Sequence, residues 1–208
     1  MKITEHFKRY LFEFESNLFD SLNNIDTKGI INTVNLDVDE QSKINSNAFM
    51  SVWIRNIRKL ISYVSKNDLN QLNFIDIGCG KGRACFYASK TGLFQSIIGI
   101  DFSEKLIHYS VENKQKFFNS NKKIKQEIHF LKGDAIHYKL ANKKNFIFLF
   151  NPFNEIILSF FIDNNIEIFK NNTNYVAYAN DIHRNVLENK GFKLVFRDSK
   201  RAISLWKM

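Results

Sequence analysis

Asn73-Phe74-Ile75-Asp76-Ile77-Gly78-Cys79-Gly80-Lys81-Gly82-Arg83-Ala84 is the stretch that decides the fold. It reads as a strand, a glycine turn and the start of a helix. Glycines at 78, 80 and 82 let the backbone turn sharply and approach a ligand without interference from a Cβ. A turn of this kind opens at the carboxyl end of its strand, where open α/β sheets bind ligands. Two phosphate-binding fingerprints are excluded by spacing. G-x-G-x-x-G would need its third glycine at position 83, which is Arg83, and G-x-x-x-x-G-K-[ST] is absent.

Working outward, short apolar runs alternate with helix-length segments. The predicted strands are Phe74–Ile77, Ser96–Ile100, Ile128–Leu131, Phe146–Phe150, Tyr175–Tyr178, Lys193–Phe196 and Ile203–Trp206. Helix-length segments between the first five read as βαβ units feeding a parallel sheet. Only Arg197–Ala202 separates the last two, too short for a crossover helix, so they are predicted to form an antiparallel hairpin. The exposed row of the last strand, Ile203 to Met208, would then be open to pairing with another chain.

Residues 1–70 are predicted to be a helical cap and residues 71–208 the main domain. In the cap, Phe7, Tyr10, Leu11, Phe14, Leu18 and Leu22 recur at spacings of three and four, which marks one buried helix face. A polar stretch runs from Asn23 to Ser46. A second helix, from Ala48 to Val64, is predicted to turn Val52, Ile57, Leu60, Ile61 and Val64 inward. Asp20, Asp37 and Tyr63 are the cap residues with chemistry to offer the site.

Asp76-x-Gly78-x-Gly80-x-Gly82 resembles motif I of the class I methyltransferases. That resemblance implies a Rossmann-like sandwich with a seven-stranded, mostly parallel sheet in the order 3-2-1-4-5-7-6 and a C-terminal antiparallel hairpin. It also implies S-adenosyl-L-methionine as cofactor, a ligand without phosphate that carries an ammonium and a sulfonium. Asp76 would face the ammonium. Asp101 ends the second strand and has oxygens for both ribose hydroxyls. Asp134, in Lys132-Gly133-Asp134-Ala135, ends the third strand and would accept from the adenine amino group, with Phe102 against the adenine face. The full set of implied cofactor contacts is Asp76, Gly78, Cys79, Gly80, Gly82, Asp101, Phe102, Gly133, Asp134, Ala135 and Asn151. Strand-end Asp residues are also common helix caps.

The fourth strand runs into Asn151-Pro152-Phe153, which holds the only proline of the chain. It resembles the Asn-Pro-Pro-Tyr/Phe motif of amino-methylating enzymes, with one proline where that motif has two. The Asn151 side-chain oxygen and the Pro152 carbonyl would hold the two N–H groups of a conjugated amine and expose its lone pair. A turn that merely ends a strand has the same composition. Beyond the fifth strand, Asn180, Asp181 and His183 are predicted to open on the same rim, with His183 the histidine best placed as a base. Asn151, Pro152 and His183 are thus the candidate catalytic residues. The expected reaction is methyl transfer to a nitrogen of a protein side chain or small molecule. Its rivals are a cofactor-binding regulatory subunit without turnover and a nucleic-acid amino-methyltransferase.

The 208 residues carry a formal net charge of +9, and 21 are Phe. The rings demand a full core. The lysines are dispersed and no aromatic-basic module is present, so the charge reads as a solvated surface, with nucleic acid the less favoured partner. Cys79 and Cys85 have no metal-ligand partner spacing, so no metal is expected. No run of about 18 apolar residues occurs, so no membrane span is expected. With so few cysteines and no apolar leader segment, a cytoplasmic location is expected.

Overall fold

The strands predicted from the apolar runs all form, and most extend by a residue. A computed structural model describes residues 2–37 and 44–208. In chain order the elements are α1 (Lys2–Leu22), β1 (Ile30–Ile31), β2 (Phe49–Met50), α2 (Ile54–Ile61), α3 (Lys66–Leu69), β3 (Asn73–Ile77), α4 (Arg83–Thr91), β4 (Ser96–Asp101), α5 (Glu104–Ser120), β5 (Ile128–Lys132), β6 (Asn145–Phe150), α6 (Glu155–Asn164), α7 (Ile166–Asn171), β7 (Asn174–Ala179), α8 (Arg184–Asn189), β8 (Lys193–Asp198) and β9 (Ile203–Lys207). The main sheet is seven-stranded in the order β5-β4-β3-β6-β7-β9-β8. The strands from β3 to β7 pair in parallel, and β9 runs antiparallel to both β7 and β8. Renumbered from β3, this is the 3-2-1-4-5-7-6 order. Because β9 lies between β7 and β8, it has no free row for another chain; β5 and β8 are the sheet edges.

Side chains alternate across the sheet, so each central strand feeds two cores. Phe74, Phe146 and Phe148 pack on one face with α2 and α4, while Ile75, Ile77, Ile147 and Leu149 pack on the other with α6, α7 and α8. Strands covered on both faces read as continuous apolar runs, which is why β3, β6 and β7 were conspicuous in the sequence.

The strand starts are polar. Asn73, Asn145 and Asn174 stand side by side as the first residues of β3, β6 and β7. The Asn145 amide donates to Asn174 Oδ1 at 2.9 Å, and Ser96 Oγ donates to Asn73 Oδ1 at 2.7 Å. A register slip would break this buried ladder. Asn145→Val is expected to lower stability by about 1–3 kcal/mol by leaving its neighbours unsatisfied. Urea unfolding checks this, and a wild-type midpoint in the variant would show the ladder to be dispensable.

The cap departs from the sequence reading in two places. On α1 the apolar stripe is exposed: Phe7 is 61% and Phe14 56% accessible. The buried line is instead Phe12, Ser16, Asp20 and Asn23. Its spacing of four, four and three is equally helical, so periodicity could not choose between the two faces. What selects the polar face is hydrogen bonding. Ser16 Oγ accepts from the Ile54 peptide N–H at 3.1 Å, and Asp20 takes the Arg83 guanidinium at 2.8 Å. The second departure concerns residues 48–64. The helix begins only at Ile54, because Phe49 and Met50 pair with Ile31 and Ile30 in a two-stranded antiparallel ribbon. The inward set Val52, Ile57, Leu60, Ile61 and Val64 is buried as expected. Among the described residues, no helix is long and apolar enough to cross a membrane.

Candidate active site

The glycine turn leaves β3 with Gly78, Gly80 and Gly82 all in the left-handed region, at φ 77°, 55° and 90°. A side chain on Gly78 would overlap the Pro152 ring, and one on Gly80 would overlap the Phe49 ring. The turn is therefore clamped between the Asn-Pro segment after β6 and the ribbon strand β2. Asp101 wires it to β4: its Oδ2 accepts from the Gly80 peptide N–H at 2.8 Å and its Oδ1 from that of Ser103 at 3.0 Å. A carboxylate has about four lone-pair sites, so each oxygen keeps capacity for a ligand hydroxyl.

A cavity of about 330 Å³ opens at the carboxyl ends of β3, β4, β5 and β6. Gly78, Asp101, Phe102, Gly133, Asp134, Ala135, Asn151 and Pro152 all line it, so the structure brings most of the sequence-derived set together. Asp134 also makes a local turn, accepting from the Ile136 peptide N–H at 3.0 Å. Gly80 and Gly82 do not reach the cavity wall. Asp76 and Cys79 lie behind the turn on a small void of about 20 Å³, which shares Phe49, Met50, Gly78 and Phe150 with the main cavity.

The electrostatics of this region are acidic. Asp101 and Asp134 are the charged side chains on the cavity wall among the described residues, and no Lys, Arg or His joins them. Burial lifts the Asp101 carboxyl to about 6, against the pull of the Ser103 and Gly80 peptide N–H groups. Asp76 goes further. Burial pushes it up to about 8, the Asp101 charge adds to the rise, and the Cys85 thiol, 3.7 Å away, draws it down. A wall with two acids and no cation suits a cationic, phosphate-free ligand and opposes a dinucleotide. S-adenosylmethionine fits that description.

On the acceptor side, Asn151 adopts φ 42° and is buried. Its backbone oxygen accepts from Asn47 Nδ2 at 2.9 Å, and the Pro152 carbonyl accepts from the Asn47 peptide N–H at 3.0 Å. Tyr178 donates its hydroxyl proton to Asn151 Oδ1 at 3.0 Å. Burial raises the Tyr178 hydroxyl well above its usual range, and it also makes a hydrogen bond with the His183 backbone. With that peptide N–H directed at the phenol oxygen, the phenol proton goes to Asn151 Oδ1, which keeps one lone pair beside the amide's N–H pair. The oxygens expected to clamp an amine thus already hold partners from within the chain.

His183 lines neither this cavity nor the cleft beside it. Its backbone, rather than its imidazole, is tied to the site. Asp181 is buried and accepts from Arg197 Nε at 3.0 Å, while Asn180 reaches the neighbouring cleft. Of the three cap residues, Asp20 pairs with Arg83, Asp37 accepts from Ser103 Oγ at 2.6 Å at the start of α5, and Tyr63 stacks on Phe196 at 3.7 Å. All three hold the fold together.

Residues 45–50 are site elements that the sequence reading missed. Asn45 is hydrogen-bonded to Asn154, Asn47 to Asn151 and Pro152, and Phe49 and Met50 cover the cavity. The apolar spacing predicts a helix over Ala48 to Met50, and nothing local marks this segment as a roof. Met50 and Phe150 also line a second cleft, of about 1010 Å³, running between α1, the start of α2 and the β8–β9 turn.

Comparison with known proteins supports the same conclusion. Residues 68–167 match the family model described as a methyltransferase domain. Among solved structures, the chain resembles magnesium protoporphyrin IX methyltransferase from Synechocystis, determined with bound S-adenosylmethionine. That match has a TM-score of 0.53 at 16% identity and covers 74% of this chain and 76% of the other. A Rossmann-superfamily protein from Streptococcus agalactiae matches with a TM-score of 0.52 at 13% identity, over 76% of this chain and 68% of the other. A tRNA methyltransferase from B. subtilis matches with a TM-score of 0.51 at 11% identity, over 74% and 64%. At these identities the likeness is one of fold. A search of curated proteins finds no match. The strand order and the acid-lined cavity at the glycine turn agree with the family-model match: residues 68–167 carry a methyltransferase domain that uses S-adenosylmethionine, on the class I fold.

Proposed function

We propose that the protein methylates a nitrogen on a small molecule or a protein side chain, and that this acceptor enters through the second cleft. The observation that carries the reading is the junction of the two cavities: Met50 and Phe150 belong to both walls. Bound S-adenosylmethionine supplies an electrophilic methyl group on a good leaving group. The protein's part is therefore alignment and exclusion of water more than proton chemistry. Asp101 accepts ribose hydroxyls, Asp134 accepts from the adenine edge and Phe102 covers the ring. Phe49 and Met50 close the cavity over them.

The acceptor nitrogen that suits this site already has an exposed lone pair. Asn151 Oδ1 is held by Tyr178, and among the described residues no His, Cys or Tyr lines either cavity. A ring nitrogen or a neutral amine needs neither a two-oxygen clamp nor a strong base, whereas a protonated amine must first lose a proton.

Two measurements test this. Asp101→Ala is expected to weaken S-adenosylmethionine binding about tenfold or more, the loss of a buried charge-assisted hydrogen bond, with calorimetry as the readout. Incubation of the wild type with labelled cofactor and separated small-molecule and protein fractions of a cell extract is expected to yield S-adenosylhomocysteine and an N-methylated product in one of them. Tight cofactor binding with no transfer to either fraction would sink the catalytic reading and leave a binding subunit.

A further inference from the structure

The two cavities carry opposite charge. The cofactor cavity has only Asp101 and Asp134 as charged lining among the described residues, whereas the second cleft is lined by seven cations and two acids. Four of those cations have a carboxylate beside them: Arg9 has Glu13, Arg55 has Glu15, which it shares with Arg58, Arg83 has Asp20 and Arg201 has Asp198. The surplus is Lys8 on α1, Lys28 before β1 and Lys200 in the β8–β9 turn, and no acid among the described residues lies within ion-pair distance of any of them. Residues far apart in sequence thus bring three lysines, unpaired among the described residues, to one cleft.

The cleft interior carries a matching feature. Two guanidinium groups lie against the ring of Phe12, Arg55 at 4.7 Å and Arg201 at 5.1 Å from its centroid. Each meets its carboxylate through Nε, at 2.8 Å for Arg55 and 3.5 Å for Arg201. Among the described residues the terminal amino groups of both forks have no hydrogen-bond partner, and those are the atoms that take a carboxylate or phosphate in bidentate fashion. An anion held by those free amino groups would also lie in the field of the three lysines that line the same cleft.

We propose that this cleft binds an anionic group, phosphate or carboxylate, carried by a small-molecule methyl acceptor whose nucleophilic end points at the Met50–Phe150 junction. The proposal rests on the methyltransferase reading for the word acceptor, but the anion site stands on the cleft alone. A cleft of bounded size lined by cations from several elements fits a compact anion. An extended nucleic acid would call for a basic surface that tracks a backbone.

The test is calorimetric titration of the full chain, with and without S-adenosylhomocysteine, using phenyl phosphate, benzoate and benzylamine as probes. A combined Lys8→Gln, Lys28→Gln and Lys200→Gln variant runs in parallel. Phenyl phosphate and benzoate are expected to bind the wild type, benzylamine is not, and the variant is expected to lose tenfold or more in anion affinity. S-adenosylhomocysteine binding, which uses the other cavity, should be unchanged in the variant and so shows that it is folded. Equal anion affinity in the two proteins, or none in a wild type that binds S-adenosylhomocysteine, overturns the proposal. Single-stranded RNA binding with a steep salt dependence, lost in the variant, also overturns it and makes the cleft a nucleic-acid site. Lysine-dependent anion binding in a protein that does not bind S-adenosylhomocysteine upholds the cleft and rejects the cofactor reading instead.

Discussion

Replacing Asp20 with alanine is expected to cost about 3–5 kcal/mol of stability, the usual penalty for stranding a buried charge. Asp20 is fully buried and Arg83 nearly so, 5% exposed. The Arg83 guanidinium places its donors on α1 and the two segments after α1 and β2: Nη2 on Asp20 Oδ2 at 2.8 Å, Nε on Thr27 Oγ1 at 2.6 Å and Nη1 on the Val52 carbonyl at 3.0 Å. Thr27 in turn donates to Asp20 Oδ1 and Oδ2 at 3.0 and 2.9 Å. This network fastens the cap to the first residue of α4, directly after the glycine turn. Losing one partner leaves the other charge buried without compensation. A paired Asp20→Leu, Arg83→Met change removes both charges and is expected to recover most of the loss. Urea unfolding of the four proteins of this double-mutant cycle is the measurement. A single-variant loss under about 1 kcal/mol would mean that water satisfies Arg83 as well as Asp20 does.

Asp76 is expected to make the cofactor-free protein less stable as pH rises. Its folded value of about 8 lies above the ordinary 3.8, because burial, and then Asp101, oppose its charge. The folded state therefore holds a proton that the unfolded state releases. The stabilisation this confers is complete below about pH 4 and is lost as pH climbs through about 8. Across that window the loss amounts to several kcal/mol, at about 1.4 kcal/mol per pH unit. Asp76→Asn removes the titrating group. At pH 8 the variant is expected to be more stable than the wild type, while near pH 4 the two converge.

A cationic ligand reverses the preference. Binding S-adenosylmethionine, with its ammonium brought towards Asp76, should expel a proton near pH 7 and tighten as pH approaches 8. Calorimetry in buffers of different ionisation enthalpy reads that proton directly. A stability profile identical in wild type and Asp76→Asn, with no proton released on binding, would remove Asp76 from the ligand's reach. The same burial that makes Asp76 costly in the free protein would make it effective against a cation, a common exchange of stability for function.

Much of the architecture was legible in the sequence because its causes are local. Strands covered on both faces have no polar face, so β3, β6 and β7 stand out as unbroken apolar runs. Three glycines in seven residues announce a turn that needs positive φ, and all three adopt it. Asp101 ends one strand of that sheet and Asp134 lies two residues past the end of the next, and parallel pairing carries both to one rim. Each of these readings depends on near neighbours in the chain and on the handedness of βαβ units.

The tertiary structure decided what two distant segments settle between them. On α1 both faces have helical spacing, and the unmet donors of Arg83 and Ile54 chose the polar one over the stripe from Phe7 to Leu22. In isolation the Asn151 side-chain oxygen offers two lone pairs, yet Tyr178, 27 residues later, takes one of them. His183 is a good base on paper and contributes its backbone instead. The cationic cleft draws Lys8, Lys28 and Lys200 from three separate segments, so three lysines dispersed in the sequence meet at one cleft. Periodicity shows that a helix has a face to bury and motifs show that a turn can bind; which face is buried and which atom stays free is set by the partners that long-range folding supplies.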